Sequence, residues 1–224
     1  MQDLKVIYED NHIIVVEKTP NIPSQADKTG DIDMLTLVKD YIKEKYNKPG
    51  NVYLGLVHRL DRPVGGIMIF AKTSKAASRL SNQVREKVFK KKYLAVVDGK
   101  IDKKEGSLED YLYKDERNNI SKVVSKEKKN SKLAKLDYKV LKYNEVKDLS
   151  LVEIDLHTGR HHQIRVQFSN FGHSIFGDQK YGTRGKGKQI ALWAYELTIE
   201  HPITKEKMTF KDLPEAVGTW CILK

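Results

Sequence analysis

His58-Arg59-Leu60-Asp61-Arg62 sets one carboxylate between two guanidinium groups, with an imidazole three residues before it. A carboxylate kept ionised by nearby cations can stabilise developing positive charge, attack an electrophilic carbon or take a proton. Pro63 follows, with φ fixed and no amide proton to donate, and Gly65-Gly66 tolerate a positive φ. An apolar run precedes the segment and Ile67-Met68-Ile69-Phe70-Ala71 follows it. The pattern predicts a tight loop between two buried strands that fixes Asp61 in place. The plainer alternative is a turn carrying a surface ion pair.

Elements must hold that loop. Lys5 to Glu9 and His12 to Lys18 are strand-like around the turn pair Asp10-Asn11, which predicts a hairpin or two short strands near the N-terminus. A loop with Pro20 and Pro23 follows. Asp31 or Asp33 can cap a helix whose Met34, Leu35, Val38, Tyr41 and Ile42 share a face. Thr73 and Ser74 start a second helix, where Ala76, Leu80, Val84 and Val88 form a stripe expected in the core. Phe89 to Val97 reads as a strand closed by Asp98-Gly99. Residues 100 to 132 are polar, with no lasting periodicity. Ala134, Leu136, Tyr138 and Val140 then alternate with Lys135, Asp137 and Lys139, which predicts a half-exposed strand with a basic outer face. A strand over 149–156 is followed by a turn at Thr158-Gly159 and a helix presenting Ile164, Phe168 and Phe171, stopped near Gly172. A last strand is expected over 190–199.

The 224 residues suit one domain, or one domain with two lobes. At 39% apolar and 32% charged the composition is that of a globular protein, and no apolar run approaches the roughly 20 residues of a membrane span. The first residues, Met1 to Lys5, lack the pattern of a signal peptide, so a cytoplasmic protein is expected. Cys221 stands alone, which excludes an intramolecular disulfide and a paired-thiolate zinc site. His157 and His161 are four apart but lack a supporting ligand motif, so no metal is expected.

Charge is more telling. Forty-one basic against 30 acidic residues give a net +11, which favours an anionic polymer as partner. The excess is clustered: five basic side chains lie within 85–92, and eight lysines face Glu127 and Asp137 within 122–142. A third cluster, Lys180, Arg184, Lys186 and Lys188, decorates a glycine-rich stretch.

His58-Arg59-Leu60-Asp61-Arg62-Pro63 resembles the central motif of the RluA-type pseudouridine synthases. Lys91-Lys92-Tyr93 with its apolar strand, and Gly159-Arg160 followed by His162-Gln163-Ile164-Arg165, resemble further motifs of that family in the same order. Lys18 and Pro20 resemble its N-terminal motif, with Thr19 inserted, and 172–178 with Tyr181-Gly182 resemble a later one. The resemblance covers essentially the whole chain.

It implies an α+β fold, a long, mixed, mostly antiparallel sheet with flanking helices and loops around a central basic cleft. It implies a single catalytic domain over 1–224 without a preceding RNA-binding module, and conversion of uridine to pseudouridine in structured ribosomal or transfer RNA. No cofactor is implied, because no atom is exchanged or oxidised. The expected catalytic set is Asp61, Tyr93 and Arg165, with Arg165 as the salt-bridge partner of Asp61. The expected substrate contacts are His58, Arg59, Arg62, Arg160, His162, Gln163 and Ile164. A monomer without an obligate protein partner is expected. The competing readings are a non-catalytic RNA-binding protein on the same fold and a basic nuclease. The nuclease usually needs an acidic cluster that Asp61 lacks.

Overall fold

The computed structural model describes residues 4–224; Met1, Gln2 and Asp3, read above for a signal-peptide pattern, lie outside the described residues. The described residues form eleven strands, three α-helices and one short 3-10 helix, so the fold class is α+β, as expected. The chain divides into two compact units, one built from residues up to 90 with 194–213, the other from 91–193 with 214–224.

In the first unit, β1 (Val6–Glu9) and β2 (Ile13–Lys18) form the expected antiparallel hairpin. Asp10 makes the turn, its carboxylate accepting from the amides of His12 and Ile13. α1 (Met34–Lys45) starts at Asp33, whose side chain accepts from Thr36 N at 3.2 Å. β3 (Gly55–Leu56) is only two residues long, so the segment from 57 to 64 is a longer loop than the sequence predicts. β4 (Gly65–Ala71) is buried throughout and pairs with both β2 and β3. The core joins Ile13, Val15, Ile67, Ile69, Ala76 and Leu80. Each fully buried aliphatic side chain of this kind contributes about 2 kcal/mol.

α2 (Ser74–Arg85) starts at Thr73, as expected, but its stripe is not the one predicted. Val84 is 38% exposed, whereas Gln83 is buried. A helix turns about 100° per residue, so a strict i, i+4 row drifts and Val84 has rotated about 80° from Ala76, while Gln83 returns to within about 20°. Gln83 satisfies its amide on the backbone of Glu200, donating to O at 2.7 Å and accepting from N at 3.0 Å. Glu200 closes β10 (Leu192–Glu200), which pairs with β11 (Lys207–Lys211).

In the second unit, β5 (Lys90–Asp98) pairs antiparallel with β9 (Leu149–Leu156), and β9 with β8 (Lys132–Asn144). Ala134, Leu136 and Tyr138 point inward as predicted. The polar region before them is not irregular: β6 (Glu105–Asp115) pairs with β8 and with β7 (Ile120–Val124). Of β6 only Leu112 is buried, and of β7 only Ser121, so no apolar alternation marks these strands. Their backbone ladders hold them. α3 (Gln163–Asn170) carries Ile164 and Phe168 inward and ends before Gly172, whose φ is +88°.

Candidate active site

The loop bearing Asp61 is held from below by residues 18–24. The Ser24 hydroxyl donates to Leu60 O at 2.8 Å and accepts from Leu60 N at 3.1 Å. Asn21 N donates to Arg62 O at 2.8 Å, and Val64 N to Asp61 O at 2.9 Å, which closes the turn over Arg62 and Pro63. Lys18 is wholly buried. Its ammonium donates to Thr19 O, Arg62 O and Val64 O at 3.2, 2.9 and 2.6 Å. Burial pulls its pKa down to about 7; the negative charge of Asp61 opposes that shift and Arg62 adds to it. Three carbonyl acceptors match the three protons of an ammonium. The resemblance pointed at Lys18, but a lysine at a strand end reads as solvated, and nothing local in the sequence shows that it is buried.

Asp61 itself is half-buried. Arg62 turns away from it: Nε donates to Asn21 O at 3.1 Å, Nη1 to Thr29 Oγ1 at 3.0 Å, and Nη2 pairs with Asp31. Arg62 thus ties the Asp61 turn to the 21–31 loop. His58 Nε2 accepts from Ile69 N at 3.1 Å, which places its proton on Nδ1, and its ring packs 5.2 Å from Phe89. Arg59 is exposed. Gly66 has φ +115°, and a Cβ there would stand 2.2 Å from Ala194 O.

The other sequence-selected residues belong to the second unit. Tyr93 is buried on β5, opposite Ile154. Arg165 is buried in α3 and held in a two-point clasp by Asp178, Nε to Oδ2 and Nη2 to Oδ1, both 2.7 Å. Asp178 has no exposed surface, and its Oδ1 also accepts from Lys180 N and Tyr181 N. The guanidinium lies 5.3 Å from the Tyr181 ring centre.

Gln163 braces the 157–162 turn. Its carbonyl accepts from Thr158 Oγ1 and Arg160 N, and its amide donates to Lys135 O and Gln167 Oε1. His162 adopts φ +52°, bonds Tyr181 through Nδ1 at 2.9 Å and stacks on His161 at 3.7 Å. Burial first, then the positive charge of Arg165, pushes its pKa down to about 2, so it is neutral. Arg160 is exposed, with Nε on Leu133 O, and Ile164 is buried. Geometry thus gives Lys18, Asp178 and Gln163 supporting roles that residue type alone does not disclose.

Among the described residues no group of three His, Cys, Asp or Glu side chains could hold a metal. His157 instead bonds Asp137, and His161 bonds Ser121. A cavity of about 500 Å³ in the second unit has a mixed lining that includes Lys92, Lys103, Glu105 and Glu153, and none of the selected residues reaches it.

The chain belongs to the RNA pseudouridylate synthase family, which it matches over residues 12–170. It is 33% identical to the uncharacterized RNA pseudouridine synthase YhcT of Bacillus subtilis (strain 168), over 91% of this chain and 66% of that one. It is also 33% identical to the dual-specificity RNA pseudouridine synthase RluA of Escherichia coli O157:H7, over 93% of this chain and 92% of that one. The chain spans 66% of the length of YhcT and 68% of that of an Aquifex aeolicus (strain VF5) relative. In fold it matches human RNA Pseudouridylate Synthase Domain Containing 1, with a TM-score of 0.78 at 24% identity, over 98% of this chain and 86% of that one.

Proposed function

We propose that the protein isomerises uridine to pseudouridine in structured RNA, with Asp61 as the carboxylate that acts on the ribose. The observation that carries this reading is the Asp61 turn itself, braced by the buried Lys18 ammonium on the carbonyls of Arg62 and Val64. The reaction cuts the N1–C1′ bond, turns the base and joins C5 to C1′. Charge separates on the way, positive on the ribose and negative on the uracil. A fixed carboxylate serves that ribose, by attack at C1′ or by taking the C2′ proton.

Tyr93 stacks on the uracil and assists loss of the C5 proton. Arg165, held by Asp178, is the cation of the catalytic set. Ile164 is assigned to the base, and Arg62, His58, Arg59, Arg160, His162 and Gln163 to contacts with the RNA. The target uridine leaves its stack to reach Asp61, at a cost of a few kcal/mol that phosphate contacts to the lysine clusters offset. Among the described residues no helix is long and apolar enough to cross a membrane. We place the protein in the cytoplasm as a monomer. The dual specificity in the name of the Escherichia coli relative supports testing two RNA classes.

The test is tritium release from RNA labelled at uracil C5, on transfer and ribosomal RNA lacking pseudouridine, with Asp61→Asn alongside. Release by the native protein and none by the variant supports the reading. Binding without release by both proteins would leave an RNA-binding role instead.

A further inference from the structure

Two adjacent lysines on β5 have opposite fates. Lys92 and Lys91 point to opposite faces of the strand, by the alternation of its pleat. Lys92 pairs with Glu153 at 3.1 Å. Lys91 is partly buried, and its ammonium has no hydrogen-bond or ion-pair partner among the described residues. Burial lowers its pKa, and no neighbouring carboxylate counters that shift. An ammonium withdrawn from water without a counter-ion is costly, and a protein retains it where a ligand brings the missing charge.

The surroundings say what kind of ligand. Lys92 pairs with Asp155, so Lys91 stands where β9 gives way to the 157–162 turn. A Cβ built on Gly159 would lie 3.3 Å from Lys91 Nζ, so the bare glycine leaves the ammonium room at the turn. Arg160 follows, its exposed guanidinium tethered only through Nε to Leu133 O and paired with no carboxylate among the described residues. Two unneutralised cations about a glycine make a concave anion seat. Tyr93, two residues along β5, shares the face of Lys91.

We infer that Lys91 anchors the RNA substrate, its ammonium taking a backbone phosphate close to the reacting nucleotide at the Gly159-Arg160 turn. The inference rests on the pseudouridine synthase reading for the identity of the ligand. Lys91 supplies the missing carrier of positive charge on the Tyr93 side of the sheet, while Arg160 gives a second contact at the rim.

The experiment measures equilibrium binding of pseudouridine-free transfer and ribosomal RNA across a salt series, beside steady-state tritium release. Its variants are Lys91→Met, Lys91→Arg and Gly159→Ala, each checked for folding by thermal melting. For Lys91→Met the slope of log K against log salt is expected to shrink by about 0.7 to 0.9, which is about sixfold in affinity at 0.1 M salt. The loss should fall on KM more than on kcat. Lys91→Arg should keep the slope, and Gly159→Ala, which crowds the ammonium without removing charge, should weaken binding in part. A folded Lys91→Met with native slope and KM overturns the inference, as does a loss confined to kcat. Release without a slope change refutes the anchor and leaves the isomerase standing; a slope change without release from either RNA does the reverse.

Discussion

Lys18 Nζ lies 2.9 Å from the carbonyl oxygen of Arg62 and 2.6 Å from that of Val64, so one ammonium grips the Asp61 turn on both sides of Pro63. Lys18→Met removes the grip; Arg62 O keeps its bond from Asn21 N, and the loss falls chiefly on Val64 O. It should cost about 2 kcal/mol of stability. On the role proposed for Asp61, loosening its turn by even an ångström should lower tritium release on the order of a hundredfold. Urea titration and release kinetics, run together, separate the two effects; a fully active Lys18→Met would remove the brace from the account of catalysis.

The same lysine gives stability a pH signature. Its pKa falls from 10.5 unfolded to about 7 folded, chiefly through burial. Between those values the unfolded chain holds the extra proton, so stability should rise with pH by up to about 1.4 kcal/mol per unit, and below pH 7 this contribution should be flat. Denaturation at pH 6, 7.5 and 9 checks the sign, and Lys18→Met should lack that increment.

Glu9 acts in the opposite range. Burial pushes its pKa up, but hydrogen bonds from Lys45, Lys72 and Tyr46 outweigh it and leave the carboxyl at about 2, against an ordinary 4.5. The stability it contributes is present above pH 4.5 and is lost as pH falls toward 2. Glu9→Gln should flatten acid unfolding over that window, as circular dichroism would register.

Gly66→Ala should fail at the backbone. A Cβ at that site meets Ala194 O at 2.2 Å and Ala194 N at 2.6 Å, and φ there is +115°. Neither backbone can yield without breaking a strand, so a loss above about 3 kcal/mol is expected, visible as poor soluble yield or a collapsed melting temperature.

Asp178→Asn weakens the clasp on a buried guanidinium. Removing one partner of such a pair costs about 3 kcal/mol, and the neutral amide cannot accept at both Arg165 contacts. Asp178→Asn should therefore melt earlier and release tritium more slowly. Asp110→Asn, a change on β6 whose amide oxygen can still accept from Gln167, should do neither.

The sequence was most readable where side chains alternate by burial. The Asp10 hairpin, the Asp33 and Thr73 caps and the strand at 149–156 all follow from local pattern. It was least readable where a polar residue does core work. Gln83 takes a buried place that simple four-residue spacing assigned to Val84. Lys18 and Gln163 look like surface residues until their backbone acceptors are seen. The β6–β7 hairpin has almost no buried face, so its pairing leaves little trace in residue type. Motif order singled out Asp61, Tyr93 and Arg165 as candidates; the side chains that brace their segments came only with the geometry.

Asp178 has a mechanical consequence as well. One of its carboxylate oxygens receives the amides of Lys180 and Tyr181, its backbone oxygen receives that of Gly182, and the carboxylate clasps Arg165. The basic glycine-rich stretch that follows is therefore moored at a fixed post. Whatever shape that stretch takes, the adjustment stops at residue 178, and the arginine is insulated from it. The exposed stretch can vary in shape while the buried arginine stays in register.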